Sequence, residues 1–234
     1  MPRTARMLAA MRRFAPRIVV VVAPGNPRGE AWTVDELTQL ADAAHERRCL
    51  LVIDQSYNAF LDRPLGDPAL PGHPAVLHLR SLTKDFAIAG LRAAFAIGPA
   101  AVIRALEARR APWSASAPAQ AAAVACCEPE AQQHVVATTR ALRRDAADFA
   151  RSLREAGIGV HETQVHWVLC SLSTAQAHRL EHQHGIRVRT LDDHLLTGLA
   201  RIVAPVSQQR TEVVHAIAAV HRTPIAPLTD SEPS

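Results

Sequence analysis

The sequence predicts an α/β protein, with a mostly parallel, doubly wound sheet in its first half and a smaller α+β unit after it. Three observations carry this expectation. Short apolar runs alternate with helix-like stretches, as βαβ units do. Polar residues gather just beyond the ends of those runs, where parallel sheets place their ligand groups. After Gly157 the order changes to a mixture of shorter strands and helices.

The elements follow in order. Residues 18–23 form a buried-type strand that runs into Pro24-Gly25-Asn26-Pro27, a strong turn signal. Thr33-Val34-Asp35-Glu36 is a capping box, and it opens a helix to about Arg47 with Leu37, Leu40, Ala41 and Ala44 on one face. Leu50–Asp54 is a second strand ending on a carboxylate, residues 76–82 a third, and 91–97 a fourth. Residues 99–110 read as helix, as do the alanine-rich 117–127. Pro129 marks a kink or the start of the next helix, which continues over 131–156 until Gly157. Then come a strand at 165–171, a helix at 174–184, strands at 186–190 and 199–204, and a helix at 207–221. The polar, Pro-rich residues 223–234 read as a disordered tail. The expected division is therefore 1–128, 129–222 and a tail.

Composition narrows the function. Of the 234 residues 48% are hydrophobic and 21% charged, a globular balance. A net charge of +4, dispersed along the chain, and only 4% aromatics argue against a nucleic-acid partner. The apolar run 18–23 is far short of a membrane helix, and Arg3, Arg6, Arg12 and Arg13 break up any signal-peptide core. Cys49, Cys126, Cys127 and Cys170 have no CxxC spacing, so reduced, buried thiols in a cytoplasmic protein are expected. The histidines show no HExxH and no Cys/His ligand spacing, so no metal site is expected.

One count says more than the totals. Of the 26 basic residues, 25 are Arg and one is Lys, Lys84; Tyr57 is the single Tyr, and Asn26 and Asn58 are the only Asn. A coding bias explains the scarcity, and it would replace every Lys needed only for charge. A Lys that survives does what a guanidinium does not: lose its proton and attack a carbonyl as a nucleophile. Taken singly, each polar group near it has an ordinary structural use. Asp54 suits a strand-end turn, Asn26-Pro27 a turn, Ser81 a cap, and Arg92 and Arg201 a surface. The lone Lys and lone Tyr shift that balance by where they stand.

Ser81-Leu82-Thr83-Lys84-Asp85-Phe86-Ala87-Ile88-Ala89-Gly90-Leu91-Arg92 resembles the Schiff-base lysine motif of the pyridoxal-phosphate (PLP) aminotransferases of fold type I, class I/II. Gly25-Asn26-Pro27-Arg28-Gly29 resembles that family's Asn-Pro-Thr-Gly turn, and Asp54-Gln55-Ser56-Tyr57 its Asp-x-x-Tyr strand end. Pro112-Trp113-Ser114, Gly185-Ile186-Arg187-Val188-Arg189 and Ala200-Arg201-Ile202-Val203 are similar to the branch holding histidinol-phosphate aminotransferase and threonine-phosphate decarboxylase. The resemblance spans roughly residues 5 to 221.

It implies a role for each residue. Lys84 would hold PLP as a Schiff base and then act as the catalytic base. Asp54 would keep the pyridine nitrogen protonated. Tyr57 and Asn26 would hydrogen-bond the phenolic oxygen, while Ser81, Thr83 and Arg92 would hold the phosphate. Arg201, with Asn26 and Arg189, would bind the substrate carboxylate. Small amino-acid and oxo-acid substrates and a homodimer are implied too.

The chain also departs from the family. Arg28 replaces the usual Thr, Gln55-Ser56 the usual Glu-Ala, Ala94 the Gly after the phosphate-binding Arg, and His166-Trp167 the usual Asn-Phe. Only 25 residues precede Asn26, whereas family members carry a long segment there with the Gly-rich phosphate turn and the ring-stacking aromatic. A truncated chain or half of a split enzyme, completed by an N-terminal half, is therefore expected, with residues 1–128 the remainder of the large domain. Transamination, a decarboxylase-like lyase reaction and a non-catalytic remnant or partner chain all stay open.

Overall fold

The computed structural model describes residues 2–66, 69–161 and 163–222. Two compact units divide the chain, Met1–Ala141 and Leu142–Ser234.

In the first unit, α1 (Arg3–Phe14) leads into β1 (Ile18–Val22), α2 (Val34–Glu46) and β2 (Leu50–Asp54). A 3-10 turn (Asn58–Phe60) is followed by β3 (Val76–Ser81), the short α3 (Leu82–Asp85), a second 3-10 turn (Ala89–Leu91) and β4 (Ala94–Ile97). Then come α4 (Ala100–Glu107), α5 (Ala117–Ala125) and α6 (Pro129–Glu155). The units divide inside α6, whereas the sequence reading set its boundary at the start of that helix. Pro129 opens this helix, as its fixed φ and missing N–H allow.

The sheet runs β1-β2-β3-β4, with β1, β2 and β3 parallel and β4 antiparallel. Alternation along β1 turns Val21 into a core with Met11 of α1, Leu37, Leu40, Ala41 and Ala44 of α2, and Leu51 and Ile53 of β2. Ile18 and Val20, on the other face, are 57% and 59% exposed. The capping box at Thr33 forms as expected: Glu36 N–H donates to Thr33 Oγ1 at 3.1 Å, and Thr33 N–H to the Glu36 carboxylate at 2.9 Å. Glu36 does a second job. Arg3 donates to it at 2.7 Å while its guanidinium lies 3.9 Å from the Trp32 ring, and Trp32 Nε1 donates to Val22 O at 3.0 Å. One carboxylate thus ties α1, α2 and the end of β1 together.

The second unit holds an antiparallel sheet in the order β5 (Val160–His161), β6 (Trp167–Ser171), β8 (Leu199–Val203), β7 (Arg189–Thr190). The helices α7 (Thr174–His184) and α8 (Ser207–Arg222) supply Leu180, Val214 and Ile217 to its core, and the C-terminal part of α6 supplies Phe149 and Leu153. Gly157, at φ +82°, ends α6 where the sequence placed the stop. Cys170 lies in this core with no exposure, and burial pushes its thiol up to about 12.

Five expectations are corrected. The fourth strand starts at Ala94, not 91, because a 3-10 turn and a left-handed Arg92 (φ 54°) occupy the preceding residues. The strand expected at 186–190 shrinks to Arg189–Thr190, and that at 165–171 begins at Trp167. The helix expected at 117–127 stops at Ala125, with Cys126 as its cap. Cys49, Cys126 and Cys170 are buried as expected, but Cys127 lies past that helix end and is exposed. The expected tail lies outside the described residues. Among those described, no helix is long and apolar enough to cross a membrane.

Glu36 gives the fold a pH signature. The Arg3 guanidinium, with the Thr33 N–H, holds its carboxyl down to about 2 from an ordinary 4.5, against the opposing effect of burial. A depressed carboxyl stabilises the fold above its unfolded value, and that contribution fades as pH falls from about 4.5 through about 2. Because the group is partly exposed, water screens part of it. Glu36→Gln should cost about 1–2 kcal/mol at neutral pH. It should also flatten the acid limb of stability, read by urea unfolding at pH 3 and pH 7; an acid limb as steep as the parent's would remove Glu36 as its source.

Candidate functional site

The site is built where the parallel strands stop. Val22 lies opposite Asp54, and Asp54 opposite Leu79, so β1, β2 and β3 end almost level. The ladder continues one step past the strands, with Ala23 N–H donating to Asp54 O at 2.8 Å and Gln55 N–H to Leu79 O at 2.9 Å. Three chain segments therefore leave the sheet side by side.

The first is the turn after β1. Gly25 and Glu30 bond back to back, Gly25 N–H to Glu30 O at 2.9 Å, and the Glu30 carboxylate lies against Gly25 so closely that a Cβ there would meet it at 2.9 Å. A side chain at 25 would have to displace the Glu30 carboxylate. Asn26 sits exposed at the tip of that turn.

The second segment follows β2. Asp54 Oδ1 accepts from Ser56 N–H at 2.9 Å and Ser56 Oγ at 2.6 Å, an Asx turn that fixes the carboxylate at the strand end. Tyr57 starts the 3-10 turn, its ring 5.9 Å from that of Phe60. Beneath it, Asn58 is 2% exposed and bonds both N–H and C=O of Leu65 at 2.9 Å. The fully buried Gln55 pairs with His78 of β3 at 2.9 Å and donates to Gly66 O at 3.2 Å.

The third segment is α3 with the loop after it. Ser81 and Thr83 share a 2.6 Å hydroxyl bond, and Thr83 is buried. Lys84 is exposed, with Nζ 5.9 Å from the centroid of the Tyr57 ring, so the chain's lone Lys and lone Tyr are neighbours. Leu82 N–H donates to Ala93 O at 3.1 Å, which brings the exposed Arg92 back beside the root of α3. Arg92 Nη1 reaches Ala89 O at 3.5 Å.

Arg189 and Arg201 belong to the other unit. They stand opposite each other on β7 and β8, with Arg189 ion-paired to Asp193 and Arg201 5.2 Å over the Trp167 ring. Within the first unit, then, Asp54, Tyr57, Ser81, Thr83, Lys84 and Arg92 gather at one sheet edge with the Asn26 turn beside them. Cavities of about 310 Å³ (Arg143, Arg154, His161) and 900 Å³ (His184, Glu212, His215) lie within the second unit, and one of about 440 Å³ lined by Arg92 lies in the first, so cavity size alone does not select the site.

Sequence reasoning missed the supports: Ser56, Asn58 and the Gln55–His78 pair. Ser56 had a local signal, a hydroxyl two residues after an acid. The others connect residues too far apart in sequence to leave one.

A family model described as aminotransferase class I and II matches residues 4–219. A histidinol-phosphate aminotransferase of Rubrobacter xylanophilus is 29% identical over 208 residues, covering 86% of this chain and 56% of that protein. Among solved structures, histidinol-phosphate aminotransferase from Sinorhizobium meliloti in complex with pyridoxal-5'-phosphate superposes with TM-score 0.81 at 23% identity, covering 94% of this chain and 61% of that one. L-threonine-O-3-phosphate decarboxylase from Porphyromonas gingivalis gives 0.78 at 20%, covering 88% and 65%. The chain spans about half the length of the curated relatives it matches.

Asn58→Ala would leave two backbone groups of Leu65 without their partner and should cost about 2–3 kcal/mol in urea unfolding. A cost below about 0.5 kcal/mol would mean that water replaces the amide without loss.

Proposed function

The chain belongs to the class I and II aminotransferase family, and from that premise we propose that it binds pyridoxal 5'-phosphate at Lys84 and transfers an amino group. The donor would be an amino acid or an amino-alcohol phosphate such as histidinol phosphate, and the acceptor a 2-oxo acid. One observation carries this reading: the only Lys lies beside the only Tyr, at a parallel-sheet edge that also presents Asp54.

The donor set suits the cofactor group by group. Lys84 offers the one side-chain amine, the nucleophile that an aldehyde requires. Asp54, with Oδ1 held by Ser56, is a fixed anion for a pyridine nitrogen. The Tyr57 hydroxyl and the Asn26 amide suit a phenolic oxygen. Ser81, Thr83 and Arg92 supply hydroxyls and a cation for a phosphate. When bound, the cofactor supplies an electron sink for the carbon that loses its proton. Lys84 Nζ is the group that takes and returns that proton, and Arg201 with Arg189 would hold the substrate carboxylate. A cytoplasmic, dimeric enzyme of amino-acid biosynthesis is part of the same proposal.

A second reading is a lyase: the superposition on a threonine-phosphate decarboxylase keeps loss of carbon dioxide in view.

The test is titration with pyridoxal phosphate, followed by borohydride reduction and peptide mass analysis, on the parent chain and on Lys84→Arg. The parent should gain one reduced cofactor at Lys84. The variant keeps the charge and should label at least about 100-fold more slowly. A folded parent chain that gains no adduct would overturn the reading for this polypeptide. With an adduct in hand, product analysis separates transamination from loss of carbon dioxide.

A further inference from the structure

The turn that presents Lys84 is too short to hold itself. α3 has four residues, and an isolated helix of that length is unstable in water. Something outside it must fix the direction in which Lys84 projects. The hydroxyl bond between Ser81 and Thr83 holds its first residues. Its last residue, Asp85, makes an ion pair with Arg80 of β3, Nη2 to Oδ2 at 3.4 Å. The two side chains are only 10% and 6% exposed.

This pair brackets Ser81, Leu82, Thr83 and Lys84. Its ends are five residues apart, one on the strand and one at the close of the helix, so it staples the turn to the sheet. A buried ion pair is a poor device for stability, because desolvating two charges offsets their attraction. It is a good device for geometry, since a charge left alone there is costly and the paired arrangement is strongly preferred. The Asp85 charge also reaches Cys126 at the end of α5, whose thiol is pushed up by burial first and then by Cys127 and Asp85.

We propose that Arg80 and Asp85 are positioning residues for Lys84, clamping the turn that aims its amine at the Asp54–Tyr57 strand end. The clamp rests on the reading of Lys84 as the cofactor lysine, and its test keeps the two apart. Three variants are compared with the parent: Asp85→Asn, the apolar pair Arg80→Met/Asp85→Leu, and the reversed pair Arg80→Asp/Asp85→Arg. The apolar pair removes both charges and should keep its thermal midpoint within a few degrees of the parent's, which guards against a variant that simply fails to fold.

Two readouts apply. Hydrogen exchange at the Phe86 and Ala87 amides, which bond Leu82 O and Lys84 O, reports the turn without any cofactor. Exchange there should be about tenfold faster in Asp85→Asn and in the apolar pair, with β1 amides unchanged. The rate of borohydride-trapped labelling by pyridoxal phosphate should fall about tenfold in the same two variants, and the pH midpoint of the visible absorbance band should move. The reversed pair should recover part of both. Parent-like exchange in folded variants overturns the clamp, whether or not the cofactor binds. Faster exchange with parent-like labelling and an unmoved pH midpoint also overturns it, leaving the pair a purely structural contact. A parent chain that takes no cofactor sinks the proposed function and with it the positioning role, while exchange still decides whether the pair holds the turn.

Discussion

Parallel register fixes where three strands end, and the site depends on that more than on any side chain. Val22, Asp54 and Leu79 lie side by side, and each strand then delivers a different chemistry: a turn amide, a carboxylate, and hydroxyls followed by an amine. A slip of one residue in β2 would turn Asp54 to the opposite face and bring Ile53 to the edge. What prevents the slip is the core face, where Leu51 and Ile53 are fully buried under α2. Burial in the core and chemistry at the edge are thus set by the same alternation.

Much of this is legible in the sequence. The capping box at Thr33 and Glu36, the stop at Gly157 and the strand ending on Asp54 are local signals, each made by residues within one turn or one strand. Lys84 was readable for a different reason. In a chain that uses Arg for nearly every cation, the one amine stands out as the candidate for chemistry that a guanidinium does not do. The structure sets it beside Tyr57 through a contact spanning 27 positions, which neither residue's neighbours announce.

What stayed hidden has a common cause. Arg80 and Asp85 are five apart, a spacing that belongs to neither helix nor strand periodicity, so nothing in the pattern pairs them. Gln55 and His78 sit on adjacent strands, and only the register shows that they meet. β5 has two residues, too few for any alternation to register. The late start of β4 follows from left-handed backbone at Arg92, and that conformation is imposed by the return of the chain to Ser81 rather than by the residue itself.

That return also locates the strain. Two non-glycine residues in the connection between β3 and β4 are left-handed, Ala87 at φ 55° and Arg92 at φ 54°, each at a cost of about 1–2 kcal/mol. At Arg92, glycine would relax the backbone but remove the cation proposed for the phosphate. At Ala87 no side-chain chemistry is at stake. There the unfolded chain matters: glycine would relieve about 1–2 kcal/mol of strain but restore about 0.4–1 kcal/mol of conformational freedom to the unfolded state. The second offsets part of the first, so the net cost of alanine at 87 is small. The strain at Arg92 is held in place by the sheet, because Ser81 pairs with Ala94 and Leu82 bonds Ala93 immediately beside it. The edge that aligns the strands therefore also holds this strained cation beside the candidate site.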